Sequence, residues 1–94
     1  MKMIYTMVGM QFRGSKKIVA DMKRGEPLML RRAAYNQFDH NAVEVWWSGE
    51  HIAFVKGTEV AELAAMMDRH KLQTIDGVFT TGGDRWPQVE VDSL

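Results

Sequence analysis

The sequence predicts a mainly β fold with two helices: a small, partly open barrel of about six strands, in the order β-α-β-β-β-α-β-β. Three observations point there. Six stretches alternate apolar and polar residues or concentrate β-branched and aromatic ones, with Gly, Pro, Asn or Ser between them. Only two stretches place apolar residues at the three- and four-residue spacing of a helix. And 94 residues suffice for one core, a single domain spanning 1–94, in which curling the sheet into a barrel limits exposed strand edges.

Residues 3–10 read as the first strand, with Ile4, Thr6 and Val8 on one face and Tyr5 and Met7 on the other. Gly9 permits a bulge or a close backbone approach before Gln11-Phe12-Arg13. Ser15 is the expected N-cap of a helix running through Arg24. Ile18, Val19 and Met22 share one face of it, and Gly25 and Pro27 end it. Leu28–Arg32 is the second strand. The polar stretch Tyr35-Asn36-Gln37-Phe38-Asp39-His40-Asn41 is rich in residues that accept turn conformations.

Ala42–Trp47 alternates, with Val43, Val45 and Trp47 opposite Ala42, Glu44 and Trp46, and Ser48-Gly49 turns it back into His51–Val55. Alternation forbids both Trp46 and Trp47 from facing the core, so one is expected outside, as a base platform or a dimer contact. Thr58 is the expected cap of a helix over 59–70, whose inward stripe is Val60, Leu63, Ala64 and Met67. Glu59 and Glu62 suit its positive end, and Arg69, His70 and Lys71 its negative end. Thr74–Thr81 and Pro87–Val91 are the last strands, joined through Thr81-Gly82-Gly83-Asp84.

The composition is that of an ordinary globular protein, 46% hydrophobic and 26% charged, with too many aromatics and branched aliphatics for disorder. Without cysteine there is no disulfide, zinc knuckle or thiol nucleophile. The first residues lack the apolar run and small-residue cleavage site of a signal peptide, and no segment has the length of a membrane span; a cytoplasmic protein without membrane contact is expected. The formal net charge of zero conceals a split. Residues 1–32 carry eight basic side chains against Asp21 and Glu26, and the other sixty-two carry four against ten acidic ones. Such a division gives either one face suited to a polyanion or two solvated faces of mixed charge.

Catalytic constellations are missing. Neither Ser15, Ser48 nor Ser93 sits in a Gly-x-Ser-x-Gly elbow, and Gly82-Gly83 lacks the lysine and helix of a phosphate loop. His40, His51 and His70 are dispersed, so no metal and no cofactor is expected. Asp21-Met22-Lys23 imitates part of a nuclease motif, but on a helix where that chemistry uses a strand.

The distinctive stretch is Asn-x-Phe-Asp-x-Asn-Ala-Val-x-Val from Asn36 to Val45. It comes in a fixed series with Val8-Gly9-Met10-Gln11-Phe12, Gly25-Glu26-Pro27-Leu28-Met29-Leu30-Arg31, Ile52-Ala53-Phe54-Val55, an Ala/Leu-rich helix and Ile75-Asp76-Gly77-Val78. In this order the sequence resembles the HIRAN domain, found in helicase-like DNA-repair ATPases and as short proteins or fusions in bacteria and phages. The resemblance implies an OB-like barrel that grips single-stranded DNA at its 3′ end, a role in DNA repair or replication-fork processing, and a helicase or nuclease as companion. It matches Phe12 and Phe38 to the aromatic positions that stack on terminal bases, and Asp39 to the carboxylate that accepts the 3′-hydroxyl.

The candidate DNA-binding set is therefore Phe12, Arg13, Arg31, Arg32, Tyr35, Asn36, Phe38, Asp39, Phe54 and Lys56. Arg13, Arg31, Arg32 and Lys56 would meet phosphates. The sequence departs from the family at Gln11, Arg13, Ala53 and Phe54. Each residue also has a plainer reading: Phe12 and Phe38 as core aromatics, Asp39 and Asn41 as turn caps, and the whole as a protein-interaction scaffold or homodimer that lost DNA binding.

Overall fold

The computed structural model describes residues 2–81 and 86–92, and in it six strands close into an antiparallel barrel in the order β1-β4-β3-β2-β5-β6. The strands are β1 (Lys2–Val8), β2 (Pro27–Arg32), β3 (Val43–Trp47), β4 (Glu50–Val55), β5 (Thr74–Thr81) and β6 (Pro87–Asp92). The helices are α1 (Met10–Arg13), α2 (Lys16–Asp21) and α3 (Val60–Arg69). The Gly82-Gly83-Asp84 connection expected from the sequence lies outside the described residues. No helix among the described residues is long and apolar enough to cross a membrane.

The barrel interior is filled by the inward halves of the alternating strands. Met7, Leu30, Val43, Val45, Ile52 and Val89 are fully buried there. Gly77 makes this packing fit: a Cβ on it would stand 2.8 Å from both Leu30 Cδ1 and Val89 Cγ2. α3 adds Val60, Leu63, Ala64 and Met67, the stripe its periodicity predicts.

Several expectations are corrected. The barrel is closed rather than partly open, because β1 also reaches β4 through the short ladder Met7↔Val55 and Val8↔Phe54. The two expected helical regions hold three helices among the described residues, because the first is divided. Gly9 (φ 83°) and Gly14 (φ 67°), both in the left-handed region, bracket a separate turn of helix at Met10–Arg13. The second helix ends at Asp21, before Arg24, where Met22 turns extended and buries its side chain in the core. Ser15 does not cap with its side chain; its hydroxyl donates to the Ile52 carbonyl and ties α2 to β4. α3 starts after Glu59, whose carboxylate accepts from the backbone N–H and hydroxyl of Thr6, so Thr58 is not the cap.

Neither Trp46 nor Trp47 is exposed. Trp47 packs against the core, while Trp46 lies on the outer face between Arg31 of β2 and His51 of β4. Half-buried between neighbours from both flanking strands, its ring is not a freely exposed platform.

Candidate nucleic-acid interface

β1 and β4 meet only at their ends, and there a cleft of about 390 Å³ opens, lined by Val8, Gly9, Gln11, Phe12, Asn36, Phe38, Asp39, Ala42, Phe54, Val55 and Gly57. Its walls come from four segments distant in sequence: the β1–α1 junction, the loop before β3, the end of β4 and the turn after it. The left-handed backbone at Gly9 swings α1 across the barrel mouth, and close packing fixes it there: a Cβ on Gly9 would reach 3.3 Å from Phe54 Cδ2. α1 thereby projects Phe12 into solvent, 83% exposed.

Opposite it, Asn36 folds the loop. Its Oδ1 accepts the backbone N–H groups of Phe38 (2.8 Å) and Asp39 (3.1 Å), and Asp39 Oδ1 accepts that of Asn41 (2.8 Å). These side-chain to backbone bonds give the loop a fixed shape without any apolar core of its own. They leave the Phe38 ring 88% exposed. Both phenyl rings thus face water beside the same cleft, which removes the core reading of Phe12 and Phe38. The turn-cap reading of Asp39 holds for one oxygen only. Asp39 lines the cleft, and its Oδ2 lies 3.9 Å from where a Cβ on Gly57 would sit and accepts no bond among the described residues.

Of the candidate set, the structure brings together Phe12, Asn36, Phe38, Asp39 and Phe54. Arg13 and Lys56 are exposed neighbours of residues lining the cleft, although Arg13 Nε donates to the His51 carbonyl (3.2 Å). Three candidates are elsewhere. Arg32 is buried, forking onto Asp68 (2.9 and 3.1 Å) and donating to the Ala42 carbonyl, so its guanidinium is engaged within the protein and does not line the cleft. Arg31 lies 5.9 Å from the Trp46 ring centroid, off the cleft. Tyr35 donates to Glu44 Oε2 (3.3 Å) and does not line the cleft.

Sequence reasoning passed over the cluster behind the cleft. Glu44 is buried on the outer face of β3, where its Oε1 accepts from Trp46 Nε1 (2.9 Å) and its Oε2 lies 4.0 Å from His51 Nδ1. His51 meets the edge of Phe54 at 4.7 Å and its Nε2 bonds the Ala53 carbonyl. Burial holds the imidazole below its ordinary value; Glu44 opposes this, and Arg13 and Arg31 add to it. The signal was a lone glutamate in an apolar strand beside a tryptophan able to cover it. Gly57 was missed too, since its part depends on the turn after β4 folding against Asp39.

The overall architecture matches solved structures. A protein from Lactobacillus plantarum superposes with TM-score 0.73 at 22% identity, over 95% of this chain and 92% of its own. The HIRAN domain of human HLTF superposes with TM-score 0.70 at 23% identity, over 96% of this chain and 70% of its own. No curated protein matches the sequence. The HIRAN domain family model matches residues 2–91, which is nearly the whole chain and includes every segment of the cleft. The chain belongs to the HIRAN domain family, a family of DNA-binding modules.

Proposed function

We propose that this domain binds the 3′-hydroxyl end of single-stranded DNA without acting on it chemically. The reading rests above all on one observation: two almost fully exposed phenyl rings, Phe12 and Phe38, flank a cleft that the Asp39 carboxylate lines. Exposing two large apolar rings is unfavourable in water unless a partner covers them. Every base offers a π-face, so the rings suit terminal nucleotides of any sequence, at about 1–3 kcal/mol per stacked base.

The carboxylate supplies the selectivity. It only accepts hydrogen bonds, so it takes the proton of a free terminal hydroxyl and repels a phosphate in the same place. An internal nucleotide has its 3′-oxygen esterified and offers no donor. Asp39 thus separates an end from a continuous strand, and Lys56 and Arg13, exposed beside residues that line the cleft, would meet the flanking phosphates. Such a module places a companion helicase or nuclease at a strand end during repair or fork processing.

The test is fluorescence anisotropy with one labelled oligonucleotide ending in a 3′-hydroxyl or a 3′-phosphate. Clear preference for the hydroxyl supports the reading; equal affinity for both removes the role of Asp39. Binding to neither supports the scaffold alternative.

A further inference from the structure

The eight basic residues of the N-terminal third do not act alike once folded. Lys2 pairs with Glu90 at 3.0 Å on the β1–β6 side, Arg31 packs over Trp46, and Arg32 is buried against Asp68. The other five, Arg13, Lys16, Lys17, Lys23 and Arg24, are all exposed and lie within twelve consecutive residues. The only carboxylate in that segment is Asp21, 3.6 Å from Lys17 in an exposed pair. Other exposed carboxylates lie outside that segment, among them Glu50 on β4, Glu62 on α3, Asp76 on β5 and Asp92 on β6.

This basic strip begins at the cleft. Arg13 follows Phe12 directly, and α2 is held to the same wall by Ser15, whose backbone N–H donates to the Met10 carbonyl (3.0 Å) and whose hydroxyl donates to that of Ile52. Ser15 is buried, so the start of α2 is anchored to α1 and β4 beside the cleft.

We propose that residues 13–24 are a track for the phosphodiester backbone of the strand 5′ to the end held in the cleft. The inference rests on the cleft being an end-binding site, and adds the direction in which the strand leaves: along α1, α2 and the turn that follows α2. A continuous segment with five exposed cations suits one chain of phosphates, whose binding releases counterions and gives a salt-dependent affinity.

The test compares a tetranucleotide with a dodecanucleotide, both ending in a 3′-hydroxyl, on the wild type and on K16A/K17A/K23A/R24A. All four side chains are exposed, so matched melting temperatures are expected. The wild type should bind the longer strand more tightly. The variant should bind the tetranucleotide as the wild type does but lose roughly tenfold on the dodecanucleotide at low salt. Its salt slope should be shallower by about 2–3, near 0.7 for each phosphate that is no longer neutralised. Unchanged dodecanucleotide binding, or an equal loss on both lengths, would overturn the track. A dodecanucleotide with a 3′-phosphate separates the two claims. If it binds the wild type as well as the hydroxyl form does, while the variant still loses affinity, the end-binding reading fails and the basic strip remains.

Discussion

Asn36 holds Asp39 by its backbone, accepting the Asp39 N–H at 3.1 Å on the same oxygen that takes the N–H of Phe38 at 2.8 Å. One amide side chain therefore sets both the ring and the carboxylate. Because these bonds fix the loop through its backbone, the Phe38 ring takes no part in its packing, and substituting Phe38 probes binding with little effect on folding.

Phe38→Ala should weaken binding of a 3′-hydroxyl oligonucleotide by about 1–3 kcal/mol, one stacked base. Its melting temperature should stay within a degree or two of the wild type, since the ring is 88% exposed. Anisotropy and a thermal melt on the same preparation check this, and unchanged affinity would exclude the ring from the site.

Asp39→Asn keeps an oxygen for the Asn41 N–H while presenting an amide donor to the cleft. The neutral amide N–H donates to a phosphate oxygen as readily as to a hydroxyl oxygen, so discrimination between 3′-hydroxyl and 3′-phosphate ends should collapse toward unity. The readout is the ratio of the two dissociation constants, which cancels any general loss of affinity.

Gly77→Ala should destabilise the domain by about 1–3 kcal/mol, the usual cost of overfilling a packed core. The added methyl meets Leu30 and Val89 at 2.8 Å inside the barrel and Glu90 backbone oxygen at 3.2 Å. Urea denaturation measures the loss; in a preparation still folded, oligonucleotide affinity should be unchanged.

His51 makes stability depend on pH. Its folded value lies below the ordinary 6.5, chiefly through burial. As pH falls through about 6.5 the unfolded chain takes up a proton that the folded ring refuses, so stability declines until the folded ring itself protonates. His51→Gln should flatten that decline in denaturation midpoints measured from about pH 7.5 to pH 5.

Much of this was legible in the chain. The alternation from Ala42 to Val55 gave the β3–β4 hairpin, and the stripe of the long helix gave its four buried residues, because both signals are local. The loop from Asn36 to Asn41 was legible for the same reason: Asn and Asp bond their own backbone a few residues on. What escaped depends on distant partners. Barrel closure needs β1 to meet β4 across nearly fifty residues, the separate α1 is too short to show a helical period, and the inward turn of Arg32 is decided by Asp68 on α3. The same long-range pairing of Glu44, Trp46 and His51 hid the cluster behind Phe54.

The two-rung ladder between β1 and β4 has a dynamic corollary. The opposite side of β1 is riveted to β6 over five residue pairs, from Lys2↔Asp92 to Thr6↔Gln88. The staves are thus fastened most sparsely where the mouth of the cleft lies, and breathing of the barrel should start there. Hydrogen exchange should find the amides around Val8 and Val55 less protected than those of Tyr5 and Val89, and a strand end lodged across that join would act as its clasp, slowing them selectively.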